Sequence, residues 1–518
     1  MQNSAIKIAL KVSGIYRLKK DERISETIAA IADELQCDTE TIESIYMAEI
    51  DARARQRIER IRRRETLPVS AGTNTVSTPI HAHNGPVVVT AAQNNTDINR
   101  DMLAVLRNYC ETRDAQLVIA PMLYNKSAFA QPDNSDGESV WFDPAIVPYL
   151  HKDKFSVHGV TVLCGAHVLP TAKYPLSGFE GAATESIVVP ASTIQLKTLA
   201  RLKDQKLRVM YSTGAVTGFN YIQRKAGTVA ELNHCFSATV IEPDGRMRAL
   251  TYQDGAIYDC IDGSTTRYTA DSIERGNVSA LILGDIHAEK MSADRRDAII
   301  DLQVKMVPRY TVLHDLLDFS SRNHHNRGSS LFIFNQLQNN NTVASDLNTA
   351  IDFIAQLQGN VVVVDSNHDR ALTRWLDEAD YRADPVNAIT FLELQLTRYK
   401  MADSENWNPL EYWYRHAHGK VNSSIRFLKP DESFRAHGIE LGNHGDRGPN
   451  GSRGYLQGFR AIGASMVIGH SHSPGIAGAV YQVGVSGNLD MGYNVGPSSW
   501  AHAHCVVFDN GTRQIVFE

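Results

Sequence analysis

A chain of 518 residues exceeds one typical core of ~100–200 residues, so two or three domains are expected, and 43% hydrophobic with 21% charged residues describes an ordinary globular protein. A net charge of −6 does not advertise nucleic-acid binding, and no apolar run approaches the ~18 residues required to span a membrane. Cys37, Cys110, Cys164, Cys235, Cys260 and Cys505 form no CxxC pair, the usage of a reduced compartment, which makes the cytoplasm the expected location.

At the start of the chain Lys7 and Lys11 interrupt AIKIALKVSGIY and no small-residue cleavage site follows, so no signal peptide is expected. ISETIAAIADELQCDTETIESIYMAEI carries apolar residues at helical spacing in two blocks that break at Cys37 and Asp38, where Asp38 or Thr39 can cap the second helix. This predicts a helix-turn-helix-like domain over 1–66. Thr39, Glu40, Thr41 and Glu43 would open its second helix, and the two acids there would repel phosphates. RARQRIERIRRR at 53–64 suits phosphate contact better, with a solvated or oligomerising helix face as the alternative. TLPVSAGTNTVSTPIHAHNGP is rich in Pro, Ser, Thr and Gly and reads as a linker, 67–86.

PVVVTAAQ, the amphipathic MLAVLRNYCETRD and AQLVIAP predict a β-α-β unit. Strands follow at VTVLCGAHV, SIVVPAS and LRVMYSTG, then a hairpin in ATVIEPDGRMRALTY that turns at Asp244-Gly245. An accessory α/β domain over 87–276 is therefore expected. It has no P-loop, G-x-S-x-G or internal repeat, which leaves substrate positioning or assembly as its task. It or the N-terminal domain would carry any homo-oligomer contact.

From residue 277 onward five polar motifs stand beside apolar stretches: LILGDIHAEK, VLHDLLDFSSR, VVVVDSNHDR, ELGNHGDRG and MVIGHSHSP. They bring Asp285, His287, Asp315, Asn367, His368, His444, His470 and His472 to the ends of predicted strands, a mixture of oxygen and imidazole ligands suited to divalent cations. A D-x-H pair offers a carboxylate and an imidazole from one strand end, a lone Asp can bridge two cations, and H-x-H can reach both. Two cations ~3.5–4 Å apart can clamp an in-line displacement at phosphorus, with no covalent nucleophile required. Thirteen of the 19 histidines follow residue 280. His324, His325, His416, His437, His502 and His504 read as ordinary surface or hydrogen-bonded histidines. His418, in HAHG, competes with His444, which is preferred because a Gly- and Arg-rich turn follows it.

These motifs, in this order, resemble the calcineurin-like metallophosphoesterase superfamily over 277–518, with YNVGPSS similar to the family's late Asn-x-Gly-Ser strand. The resemblance implies a four-layer α/β/β/α sandwich in this C-terminal domain, within an α/β protein overall. It implies a first metal on Asp285, His287, Asp315 and His472, and a second on Asp315, Asn367, His444 and His470. His368 would contact the scissile phosphate and assist the leaving group. The two divalent ions would be Mn2+ foremost, with Fe, Zn or Mg as alternatives. Departures are HD in place of GD at His314, SNHD in place of GNHE at Ser366, and an Arg322 displaced from the family's GDxxDRG position.

Arg322, Arg447 and Arg453 are candidate phosphate contacts, the latter two in GDRGPNGSRG, which reads equally as a solvated turn. Asp318 and Asp446 are expected to orient ligands. In the insert at 370–441, Trp375, Trp407 and Trp413 with Tyr412 and Tyr414 could stack bases, although core packing is the commoner role of such aromatics. The expected activity is metal-dependent phosphodiester hydrolysis, with DNA as substrate and partner. The overall arrangement also resembles the pre-early DNA-transfer and host-DNA-degrading proteins of large siphophages, which would act in the cytoplasm of the infected bacterium. The alternatives are a small-molecule or nucleotide phosphodiesterase, and a catalytically silent, metal-stabilised DNA-binding or assembly protein.

Overall fold

A computed structural model of the chain describes residues 24–48, 83–124, 140–166, 168–323, 329–401, 407–417, 424–492 and 494–518. The chain divides into two compact units, Met1–Thr73 and Asn74–Glu518, and the division falls within the stretch read as a linker.

The first unit contains the two expected helices, Ile24–Leu35 and 39–48. Asp38 caps the second: its carboxylate accepts the Thr41 backbone N–H and the Thr41 hydroxyl, each at 2.7 Å. That satisfies one of the amides that a helix start leaves without a partner. Ile28, Ile31 and Ala32 meet Ile42 and Tyr46, one apolar stripe against another. The arginine run at 53–64 lies outside the described residues, as does most of the linker.

The second unit is mixed α/β, built on three mixed sheets. The seven-stranded sheet contains the expected β-α-β unit, with Val87–Gln93 parallel to Gln116–Met122 and joined to it by helix Arg100–Arg113. Asn99 caps this helix by accepting the Met102 N–H, and Asp114 ends it in a left-handed conformation. The predicted hairpin pairs Ser237–Ile241 with Met247–Gln253, and Gly245 turns it at φ +84°.

The six-stranded sheet runs, edge to edge, Ile425–Phe427, Asn360–Val363, Tyr310–Leu313, Val278–Ile282, Ala503–Phe508 and Arg513–Phe517. Its first four strands are parallel, so their carboxyl ends open on the same side. The ten-stranded sheet draws on two distant stretches, 155–212 and 435–482, which join where Gln195–Leu199 pairs antiparallel with Gly475–Ala477. Residues 87–276 and 277–518, expected as successive domains, thus share one sheet.

Alternation along the central strands decides the layers. Ala280, Ile282, Val312 and Val362 face a core shared with Val188, Leu196, Val467 and Tyr481 of the ten-stranded sheet and Val89 and Val118 of the seven-stranded one. Leu281, Leu313, Val361 and Val363 face the helices Ala293–Met306, Val343–Ile354 and Asp369–Glu378. Trp375 is buried in that helical core, edge-on to Phe391 at 5.1 Å, with Tyr414 buried and Trp407, Tyr412 and Trp413 packed around it. Against the ten-stranded sheet lie the short helix Leu456–Arg460, through Phe459, and the loop residues Leu176 and Phe179.

The seven-stranded sheet is tied to the strand Arg513–Phe517 by a buried ionic knot. Asp259 pairs with Arg248 through both oxygens and accepts from Tyr109 Oη and Gln514 Nε2, while Arg248 also reaches Glu242. Burial opposes the Asp259 charge, but the Arg248 guanidinium overrides it and holds the carboxyl below its usual range. Asp259→Asn should therefore cost about 1.5–3 kcal/mol in urea unfolding, because it weakens two charge-assisted hydrogen bonds and leaves the buried guanidinium to Glu242. A lowered folded pKa adds stability at pH values above the unfolded value of ~3.9 and loses it as pH falls through the folded value. The acid loss of stability should thus be shallower in Asp259→Asn than in the parent.

Candidate metal centre

The strand Val278–Ile282 ends at Gly284, where a Cβ would lie 2.7 Å from Val485 N, so only glycine admits the neighbouring backbone. Asp285 follows, held by its N–H on Gly484 O and by the Ser486 N–H on its carbonyl. Residues 286–288 then run beside 314–316: Ile286, His287 and Ala288 donate to the carbonyls of His314, Asp315 and Leu316. That pairing brings His287 and Asp315 together. The Asp315 N–H donates to Ser366 Oγ at 2.9 Å, and His368 N–H donates to Asp315 Oδ1 at 3.1 Å, which ties the third strand end to the second. From the ten-stranded sheet come His444, after Ile439–Glu440, and His470 and His472, after Met466–Ile468; Gly469 N–H donates to His444 O.

All seven expected ligands meet here. One oxygen or nitrogen from each of Asp285, His287, Asp315 and His472 lies within 4.8 Å of the others, as do those of Asp315, His444 and His470 in a second group that shares Asp315. Asn367 Oδ1 is 2.8 Å from His444 Nε2 and 3.0 Å from His470 Nδ1. His287 Nε2 and His472 Nε2 face each other at 3.0 Å, and His472 Nε2 is 3.1 Å from Asp285 Oδ2. Neither Asp285 oxygen meets a well-aligned hydrogen-bond donor, although both are buried. A buried carboxylate without an aligned donor, beside imidazole nitrogens aimed at one another, is the lone-pair arrangement that a divalent cation satisfies, and these clusters can hold metal ions. Four of these residues adopt the left-handed backbone region: His287 at φ 46°, Asp315 at 43°, His470 at 72° and His472 at 57°. Each such residue costs about 1–2 kcal/mol.

Burial opposes ionisation of Asp315, yet the imidazoles of His444 and His368 hold it well below the usual carboxylate range. Burial also opposes a charge on His444, and Asp315 overrides it, raising the imidazole to about 9. Asp318 orients His287 through Nδ1 at 3.2 Å and accepts the His368 Nδ1 proton on its carbonyl at 2.9 Å. His368, with a side chain 21% exposed, is only partly buried, as are Asn367 and His470, against 0% for His287 and His444, so the centre opens on the side of these three.

The arginines divide. Arg322 is buried and committed to Asp384 through Nε and Nη2 and to Ser321 O through Nη1, so it has no guanidinium face left for a phosphate. Arg447 and Arg453 are exposed and joined by a backbone bridge in the turn after His444, and Arg447 also lines a cavity of about 690 Å³ with Asp365, Arg370 and Lys429. Asp446 pairs with Arg370. YNVGPSS forms a loop, not a strand, with Asn494 holding Leu489 O and Met491 N; Tyr493 lies outside the described residues. His418 and the pair His324 and His325 also lie outside them.

Several residues that serve the centre escaped sequence reasoning. His314 is buried with no hydrogen-bond partner at either ring nitrogen; burial, aided by His444, lowers it to about 4. The Asp369 carboxylate accepts Leu317 N–H at 2.9 Å, and burial beside Asp315 raises it to about 7. Glu289 accepts the N–H groups of Asp318 and Phe319, Trp500 sits edge-on to His472 at 4.1 Å, and His504 accepts Gly284 N–H. In the sequence the signal for His314 and Ser366 is that each stands where a glycine is usual.

Gly469 separates the two sheets at the centre: a Cβ there would lie 2.2 Å from Asp285 Oδ1 and 3.1 Å from His314 Cβ. Gly469→Ala should lower metal content by about tenfold or more, as read by elemental analysis of protein with unchanged circular dichroism, since Asp285 must move.

No protein-family model and no solved structure matches the chain. It is similar to Protein A1 of Escherichia phage T5, 37% identical over 458 residues that span 83% of this chain and 81% of that protein. This chain therefore belongs to the family of the phage T5 Protein A1.

Proposed function

We propose that the chain is a metal-dependent phosphodiesterase of the calcineurin-like metallophosphoesterase type, and that it cleaves DNA. The observation that carries this reading is the convergence of eight residues from five separated motifs on one buried centre. Asp285, His287, Asp315 and His472 would hold one divalent cation, and Asp315, Asn367, His444 and His470 the other. Such a pair supplies Lewis acidity toward phosphoryl oxygens and a water acidified toward neutral pH.

The protein groups do the rest. Asp318 fixes the His287 ring, as carboxylates commonly do for metal-ligating histidines. His368, with its Nδ1 proton on the Asp318 carbonyl, is a partly open group at the mouth and would act on the departing oxygen. Arg447 and Arg453, exposed on the adjoining turn, would meet the flanking phosphates. DNA as substrate is favoured by membership of a phage protein family and by the helix-turn-helix-like unit at the N-terminus. The 690 Å³ cavity beside Arg447 supports the second reading, a small-molecule or nucleotide phosphodiesterase, because that volume suits a compact ligand.

Purified protein with Mn2+, Mg2+ or chelator, offered plasmid, oligonucleotide and bis-p-nitrophenyl phosphate, separates these readings. Metal-dependent plasmid loss supports the nuclease, cleavage of the small ester alone supports the second reading, and no turnover with any metal refutes both. Asp315→Ala should abolish turnover and lower metal content, because one side chain serves both groups. His368→Ala should lose about 10²–10⁴-fold in rate and keep its metal, as expected for a proton-transfer group.

A further inference from the structure

The strand Met466–Ile468, whose carboxyl end delivers His470, begins at a second cavity on the other side of the sheet's length. Ala461, Gly463 and Ala464 precede that strand in the wall, and Gly478 and Ala479 precede its parallel neighbour Val480–Gln482. The cavity measures about 600 Å³ and shares no residue with the candidate metal centre. By the rise of a strand it lies roughly 10–20 Å from His470.

Its charge is one-sided. Lys173, Arg460 and Arg513 line it, and among the described residues no Asp or Glu does. The contrast is the 690 Å³ cavity, where Asp365, Asp377, Glu378, Glu411 and Glu432 face the arginines. Arg460 is held by neutral partners, donating from Nη2 to Asn233 Oδ1 at 2.7 Å and from Nη1 to Lys173 O at 3.2 Å. Among the described residues Arg513 donates only from Nη1, to Met466 O and Ala479 O, with its guanidinium 4.2 Å from the Tyr481 ring centre. Lys173 Nζ and the Arg460 guanidinium both lie over Tyr174, at 5.2 and 5.0 Å. Among the described residues none of these three cations pairs with a carboxylate. Gathering cations without anions is unfavourable unless an anion joins them, and planar guanidiniums match phosphate oxygens. A second sign is Gln457 Oε1, a buried acceptor with no donor among the described residues, on a side chain that lines both this cavity and the adjoining one of about 460 Å³. An inorganic anion would leave both that acceptor and most of the volume unused.

We propose that this cavity binds a small phosphate ester of the nucleotide class. Its phosphate would rest on Lys173, Arg460 and Arg513, and its amino or hydroxyl groups would donate to Gln457. The site does not depend on what the metal centre hydrolyses.

The test is calorimetric titration of the full chain, kept in chelator so that the metal centre binds no phosphate through a cation, with dAMP, inorganic phosphate and a single-stranded decamer as probes. Binding of dAMP with a Kd below about 1 mM is expected, with inorganic phosphate weaker by about tenfold or more. Lys173 is exposed and among the described residues its ammonium makes no hydrogen bond, so Lys173→Glu should leave the melting temperature unchanged while weakening dAMP by about tenfold or more. Arg460→Gln should likewise weaken dAMP by about tenfold or more. The proposal is overturned by absence of dAMP binding, by equal affinity for inorganic phosphate, by unchanged affinity in Lys173→Glu, or by a decamer that binds more tightly than dAMP and is lost in the same variants.

Discussion

Asp285 and His472 belong to different sheets, yet the carboxylate of one and the imidazole of the other meet at 3.1 Å. Everything at the centre depends on the face-to-face packing that makes this meeting reproducible. Ala280, Ile282 and Val312 on the six-stranded side fill the gaps left by Val467, Ile476 and Tyr481 on the other. Because side chains alternate across a strand, a slip of one residue in either sheet would turn that core outward and carry the histidines with it. Interiors packed at crystal density hold such a register without help from the site itself. The apolar interface therefore sets the position of the polar one.

That division of labour explains why the centre can hold an arrangement that is unfavourable on its own. Asp285, Asp315 and Asp318 are all buried, and several of their neighbours adopt left-handed backbone angles. Neither condition would survive in a loosely held loop. Here the loops at 286–288 and 314–316 are laced to each other by three backbone hydrogen bonds, and Ser366 and His368 fasten them to the next strand end. Strain and buried charge gathered at one place, with stiff surroundings, is the usual signature of a functional site.

How much of this was legible in the amino-acid sequence follows from the range over which each feature is decided. Asp38 as a cap, the helix between two parallel strands, and Asp244-Gly245 as a turn are local chemistry, and each is found in the structure. The ligand motifs were legible because Asp, Asn and His beside apolar strands have few other uses in that density. Pairings between remote residues were not. Nothing near Arg322 indicates that Asp384 will take its guanidinium, and nothing in 195–199 points to 475–477 as its partner. YNVGPSS has the composition of a strand end, but Asn494 turns its side chain back onto Leu489 and Met491 and closes a loop instead. Of the tryptophans of the insert, Trp407 does line the 690 Å³ cavity, whereas the helical core claimed Trp375 because an indole of that size removes more surface from water inside than beside it.

The shared ten-stranded sheet has a consequence for how the protein is made. Thr198 leaves the ribosome well before Pro474, whose carbonyl its hydroxyl will bond 276 residues further on. At ~5–20 residues per second, synthesis of that interval takes tens of seconds. Throughout it the strand Gln195–Leu199 presents an unpaired edge able to capture another nascent chain. Lys197, which points outward from an otherwise buried strand and pairs with Glu180 at 2.6 Å, is the one charged side chain that this strand carries.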